Sequence, residues 1–84
     1  MDEKQQKRLK LLNHLSEELK KVEKEQQVTI EHLAKVQIEV QETGKEVLSQ
    51  KIGEIFSNAT RNTELLHEML HEFTIEINQL KQGA

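Results

Sequence analysis

Residues 40–48 read VQETGKEVL, and Gly44 lies at the centre of a largely apolar stripe that is mirrored on its two sides. In both directions away from Gly44, the stripe recurs with alternating gaps of four and three. On the N-terminal side it comprises Val40, Val36, Leu33, Thr29, Gln26, Val22, Leu19, Leu15 and Leu12. On the C-terminal side it comprises Leu48, Ile52, Ile55, Ala59, Asn62, Leu66, Met69, Phe73 and Glu76. This spacing is typical of a helix that packs one stripe against another helix, so the sequence predicts an antiparallel helical hairpin.

The segment between the two stripes carries turn signals. Gly44 tolerates backbone angles that other residues avoid, and Thr43 with Glu46 fits a capping box that would start a second helix. The second stripe begins one residue out of step with the first, so a straight helix would have to rotate its seam by about 100° at this point. One continuous helix remains the alternative, because Gly53 lies inside a helix in either case.

The 84 residues predict one all-α domain, 1–84. The predicted elements are a helix over 9–41, a turn over 42–45 and a helix over 45–80, preceded by a frayed segment 1–8. A break at 57–63 is an open alternative, because Ser, Asn and Thr there compete for backbone hydrogen bonds. Residues 36–40 and 73–77 alternate with period two, so short strands are a second alternative, although no turn residues flank them.

Composition narrows the classes of function. The chain has no cysteine, which excludes disulfides and thiolate metal sites. Its formal net charge of -3 provides no overall attraction for nucleic acid. The N-terminal residues are not typical of a signal peptide, and no stretch is apolar enough to cross a membrane. We therefore expect a cytoplasmic protein that contacts neither nucleic acid nor membrane.

One segment resembles a catalytic motif. His67-Glu68-Met69-Leu70-His71 fits the H-E-x-x-H pattern, in which two histidines bind zinc and the glutamate activates water. The predicted stripe places Met69 against the other helix and turns both histidines outward, whereas a metalloprotease buries this helix beneath a cleft. No third ligand stands at a familiar spacing. We expect no enzyme activity and no cofactor, a zinc hydrolase being a remote alternative, and we regard His67 and His71 as weak candidates for adventitious metal binding.

Apolar residues outside the stripe predict an interaction surface. These residues are Ile30, Ala34 and Ile38 on the first helix and Phe56, Leu65, Leu70 and Ile77 on the second. Because two helices alone cannot cover both sets, we expect a homodimer, as a four-helix bundle or coiled coil, and a protein partner. The predicted function is a non-catalytic protein–protein interaction module such as an adaptor, inhibitor or assembly factor. A purely structural coiled coil is the alternative. Gln26 and Asn62 interrupt the two stripes at the same level, where their amides would face each other.

In shape, the predicted hairpin resembles the small helical-hairpin proteins of the type VII secretion system, which also pair with partners. The resemblance covers no motif. The central Trp-x-Gly turn and the Tyr-containing export signal of those proteins are absent, because the chain has no Trp and no Tyr. The resemblance implies a secretion-associated hairpin, which is a further alternative for the function.

Overall fold

A computed structural model, which describes residues 2–83, shows two long α-helices that lie antiparallel against each other. Helix α1 spans Glu3–Glu42 and helix α2 spans Glu46–Gln82. The molecule measures 62 × 15 × 14 Å. A helix of 40 residues is about 60 Å long at 1.5 Å per residue, so the long dimension is that of one helix. The predicted all-α hairpin is confirmed. The described residues contain no strand, and residues 36–40 and 73–77 are helical.

Helix α1 begins earlier than predicted. The expectation of a frayed segment over 1–8 is wrong for residues 3–8, and Met1 lies outside the described residues. Asp2 is the N-cap: its Oδ1 accepts from the Gln5 backbone N–H at 2.7 Å, and the Asp2 N–H donates to Gln5 Oε1 at 3.3 Å. This reciprocal capping box satisfies two backbone donors at the start of the helix. Residues from Glu3 onward therefore join the helix.

The turn forms around Gly44, but its predicted capping box is wrong. Thr43 ends α1 as its C-cap, and its hydroxyl donates to the Val40 carbonyl at 2.6 Å and accepts from the Lys45 N–H at 3.2 Å. Gly44 has a φ of 69°, in the left-handed region, and its N–H donates to the Gln41 carbonyl at 3.1 Å. A glycine at this position ends a helix without Cβ strain. Helix α2 then starts after Lys45, without a side-chain cap.

Helix α2 runs without a break through residues 57–63. The hydroxyls of Thr60 and Thr63 donate to the carbonyls of Phe56 and Ala59, at 3.0 and 3.1 Å, one turn earlier in the same helix. Their hydrogen-bonding capacity is used within the helix rather than against it. The alternative of a third helix is wrong.

The helices meet along a seam that differs from the predicted stripe by one residue at every second position. Six of the shared positions are Leu12, Leu19, Leu33, Ile52, Ala59 and Leu66. In α1, Ser16, Glu23 and Ile30 are buried or half-buried in place of the predicted Leu15, Val22 and Thr29. In α2, Ser49, Phe56, Thr63, Leu70 and Ile77 replace the predicted Leu48, Ile55, Asn62, Met69 and Glu76, all of which are exposed. The seam follows the same three–four spacing, but it lies on a neighbouring side of each helix.

The core between the helices is thin. Only Leu12, Ile52, Ala59 and Ser16 are buried within the described residues, and no large side chain there is fully buried. Several seam positions are polar, among them Glu23 and Gln37, which are half-buried. A pair of helices has one line of contact, so every seam side chain keeps one edge open to water. The hairpin consequently has two broad faces, one on each side of the seam.

Candidate interaction surface

One broad face of the hairpin is apolar. The stripe predicted as the seam falls on this face, because residues seven apart share one side of a helix. We call its apolar members the apolar face: Leu11, Leu15, Val22, Val36, Leu48, Ile55, Leu65 and Met69. The four α2 members, Leu48, Ile55, Leu65 and Met69, are between 49% and 52% exposed. Helix α1 therefore leaves about half of each of these four side chains uncovered.

The middle of the apolar face is a shallow groove between the helices. It is lined by Val22, Gln26, Asn62, Leu65, Leu66 and Met69. Gln26 and Asn62 therefore lie close together along the groove. Asn62 is exposed and Gln26 is half-buried, and no hydrogen bond joins the two amides in the part of the chain that the structure describes. The other four lining residues are apolar.

The two ends of this face differ chemically. At the open end of the hairpin, Arg8 and Glu76 line a second depression together with Gln5, Gln79, Leu80 and Gly83. Arg8 lies one heptad before Leu15, and Glu76 lies one heptad after Met69, so both charges continue the apolar face. Toward the turn, the corresponding positions are Val36 and Leu48. The face therefore carries one cation and one anion in line with its central positions at the open end. At the turn end those positions are apolar, and the charges Glu39 and Lys51 lie farther out, in register with Leu11 and Leu65.

The opposite face is polar. Its central depression is lined by Glu23, Gln27, Ile30, Glu31, Thr63 and His67. His67 Nδ1 lies 2.9 Å from Glu23 Oε2, which links the two helices across this face. The imidazole is 64% exposed and the carboxylate 29% exposed. A contact this open to water contributes little to stability.

The H-E-x-x-H segment lies along this polar side of α2. His67 faces Glu23 of α1, whereas His71 and Glu68 are exposed. Among residues 2–83, no group of three or more His, Cys, Asp or Glu side chains is arranged to hold a metal ion. His67 borders the central depression of this face, and His71 stands on the exposed surface of the helix.

The predicted interface residues occupy four environments. Ile30, Phe56, Leu70 and Ile77 lie in the seam and are half-buried by the other helix of the same chain. Ala34 is half-buried at the polar edge, and Ile38 is 62% exposed on the outer side of α1. Leu65 alone belongs to the apolar face. The predicted stripe contains all the other members of that face except Leu11, which belongs to neither predicted set. The apolar pattern therefore identifies most of these residues but assigns them to the seam.

No helix in residues 2–83 combines the length and the apolarity that crossing a bilayer requires. No protein-family model, curated protein or solved structure matches the chain. The fold and its surfaces define the class: a two-helix antiparallel hairpin with one apolar and one polar broad face.

Proposed function

We propose that this protein is a non-catalytic interaction module that works by associating through its apolar face. Its partner is a second copy of the chain, another protein, or both in turn, so an adaptor, inhibitor or assembly factor fits the surface. The observation that carries this proposal is the asymmetry of the hairpin. One broad face exposes Leu48, Ile55, Leu65 and Met69 to water, and the other is polar.

The amount of exposed surface supports association. A compact protein of 9.8 kDa exposes about 5,200 Å², whereas this chain exposes 6735 Å². The difference of roughly 1,500 Å² on one chain exceeds the roughly 800 Å² that each partner contributes to a standard protein–protein interface. Monomeric proteins rarely expose contiguous apolar patches of this kind without a binding role.

The distribution of polar groups supports a binding role over catalysis. The histidines of the H-E-x-x-H segment lie on the face opposite to the apolar one, and neither has two further metal-ligating groups beside it among residues 2–83. The depressions on the two faces are shallow and open between two helices. A surface of this shape suits another helix better than a small substrate.

Site-specific crosslinking in the native cells tests the proposal. A photoreactive phenylalanine is placed at Ile55 on the apolar face and, as a matched control, at Thr60 on the polar side of the same helix. We expect protein crosslinks from position 55 and few from position 60. The mass of the product separates a second copy from another protein. Equal crosslinking from both positions, or none from position 55, would contradict an association role for the apolar face.

A matched pair of double variants provides the solution test. Ile55→Glu with Met69→Glu adds two charges to the apolar face, and Thr60→Glu with Thr74→Glu adds the same charges to the polar face of the same helix. Circular dichroism first establishes that both remain helical. We expect only the apolar-face variant to lose the associated mass in sedimentation. Loss in both variants alike would show that added charge, and not the face, is responsible.

A further inference from the structure

The heptad pattern of each helix is broader than a two-stranded contact requires. In a two-stranded coiled coil two of seven positions are apolar, whereas helices of a bundle carry a third apolar position beside them. Between Arg8 and Glu76 the third position is apolar at three of four places in each helix. It holds Leu15, Val22, Thr29 and Val36 in α1, and Leu48, Ile55, Asn62 and Met69 in α2. Both helices turn this third position toward the same broad face. Two more helices of similar length, packed on this face, would complete a four-helix bundle.

The dimensions of the face match a second hairpin. A surface of 62 by 15 Å covers about 900 Å² on one copy, which is close to the roughly 800 Å² per partner of a standard interface. A partner helix pair of the same length leaves neither end of the face uncovered. A second copy of this chain has the same length as the face, because its helices are identical.

The charges at the open end distinguish two ways of placing the second copy. When both turns lie at the same end, the twofold axis runs along the hairpin, and α1 of one copy faces α2 of the other. Arg8 then stands opposite the partner's Glu76, and the two apolar turn ends meet. When the turns lie at opposite ends, Arg8 and Glu76 stand against the partner's Val36 and the partner's Leu48. That arrangement sets both charges against apolar side chains, and the opposite charges at that end, the partner's Glu39 and the partner's Lys51, lie only at the outer edge of the face.

We propose that the apolar face binds a second copy of the chain with both turns at the same end, forming a four-helix bundle in which neighbouring helices are antiparallel. The inference rests on the proposed association role of the apolar face and specifies its occupant and orientation. Two Arg8–Glu76 pairs related by the twofold axis close the open end of the bundle. The central Asn62 side chains lie near the axis.

Spin-label distances test the orientation directly. The chain has no cysteine, so Glu42→Cys, at the exposed end of α1 beside the turn, gives one label per copy. With both turns at one end, helices packed about 10 Å apart place the labels roughly 20–30 Å from each other. With turns at opposite ends, the labels stand near the 62 Å length of the hairpin. The longer distance would overturn this inference while leaving association through the apolar face intact.

Mixing two charge variants provides an independent test. Arg8→Glu leaves two acidic groups at the open end, and Glu76→Arg leaves two basic groups. In the same-end bundle each variant repels its own kind and complements the other, so a one-to-one mixture should contain well over the statistical half of mixed dimers. Native mass spectrometry measures this fraction. A mixed fraction of one half would show that these charges do not meet, and a wild type that stays at 9.8 kDa would exclude the second copy as occupant. The crosslinking at position 55 then decides the proposed function separately.

Discussion

Replacing Glu23 by leucine tests the position of the seam. The structure places Glu23 between the helices, with its carboxylate 29% exposed and 2.9 Å from His67, whereas the apolar pattern alone places Val22 there. If the structure is right, Glu23→Leu exchanges a half-buried charge for an apolar side chain in the seam. If the pattern is right, the same change affects an exposed position and has almost no effect on stability.

The expected gain in stability can be worked out from the burial. Full burial of a leucine side chain stabilises by about 1.5–3 kcal/mol, so a site that is roughly 70% buried provides about 1–2 kcal/mol. Losing the exposed contact with His67 costs roughly 0.2–1 kcal/mol. Leu and Glu have similar helix propensities, so that contribution is close to zero. The net effect is a gain of about 1 kcal/mol, which raises the Tm by roughly 4–8 °C in a chain of this size.

Thermal and urea unfolding followed by circular dichroism measure this gain at one fixed protein concentration. Glu17→Leu, at an exposed position of the same helix, is the matched control and should leave the Tm nearly unchanged. His67→Ala alone should lower the free energy of unfolding by less than about 1 kcal/mol. A Glu23→Leu variant that is no more stable than Glu17→Leu, or less stable than the wild type, would refute the placement of Glu23 in the seam.

Three further predictions concern the backbone. Gly44→Ala should lower the free energy of unfolding by about 1–2 kcal/mol, because a left-handed φ of 69° strains any residue with a Cβ, even where open space surrounds it. An unchanged urea midpoint would argue against this turn geometry. Gly53→Ala should raise it by about 0.4–1 kcal/mol, since the helix is favoured and the new Cβ meets only Gln37 Nε2 at an ordinary 3.9 Å; a lower Tm would indicate tighter packing there. Asp2→Ala removes the N-cap, which typically contributes about 1 kcal/mol, and should speed amide exchange in the first turns of α1 while leaving α2 unaffected. Unaltered exchange in those turns would show that the capping box does not hold the helix end.

The hairpin itself could be predicted because its signals are local. A single glycine stands where the two stripes change phase, and the residues on either side favour helix over long uninterrupted runs. The chain has no proline, and at residues 57–63, where a break was possible, the threonine hydroxyls donate to carbonyls one turn earlier in the same helix. The structure accordingly has its turn at Gly44 and its two helices on either side.

The seam could not be predicted from the pattern because each helix offers two stripes with the same alternating gaps. Positions 12 and 19 alternate with 15 and 22 as regularly as they do with 16 and 23. Leu15 and Val22 therefore give as regular a stripe as Ser16 and Glu23, and a more apolar one. Which pair closes within the chain depends on the side to which the turn directs the second helix. That is a property of the folded hairpin and not of either stripe. For this reason the predicted stripe contains residues of the apolar face at the places where the two stripes differ.

Two capping-box patterns in the sequence have different outcomes at the helix ends. Asp2 with Gln5 fits the capping box spacing, so the early start of α1 could have been read from the sequence. Thr43 with Glu46 fits it equally well, yet Thr43 closes α1 instead. A hydroxyl next to a glycine can serve the helix before it or the helix after it. The backbone angles at Gly44 decide between the two.

The most direct measurement for the whole account is the mass of the wild-type protein by sedimentation equilibrium, with its length by small-angle scattering in the same sample. The account predicts about twice 9.8 kDa, with a length that stays close to the 62 Å of one hairpin, because the second copy lies alongside the first. A particle of 9.8 kDa at high concentration would contradict the pairing of apolar faces, and a rod of about 120 Å would contradict the hairpin itself.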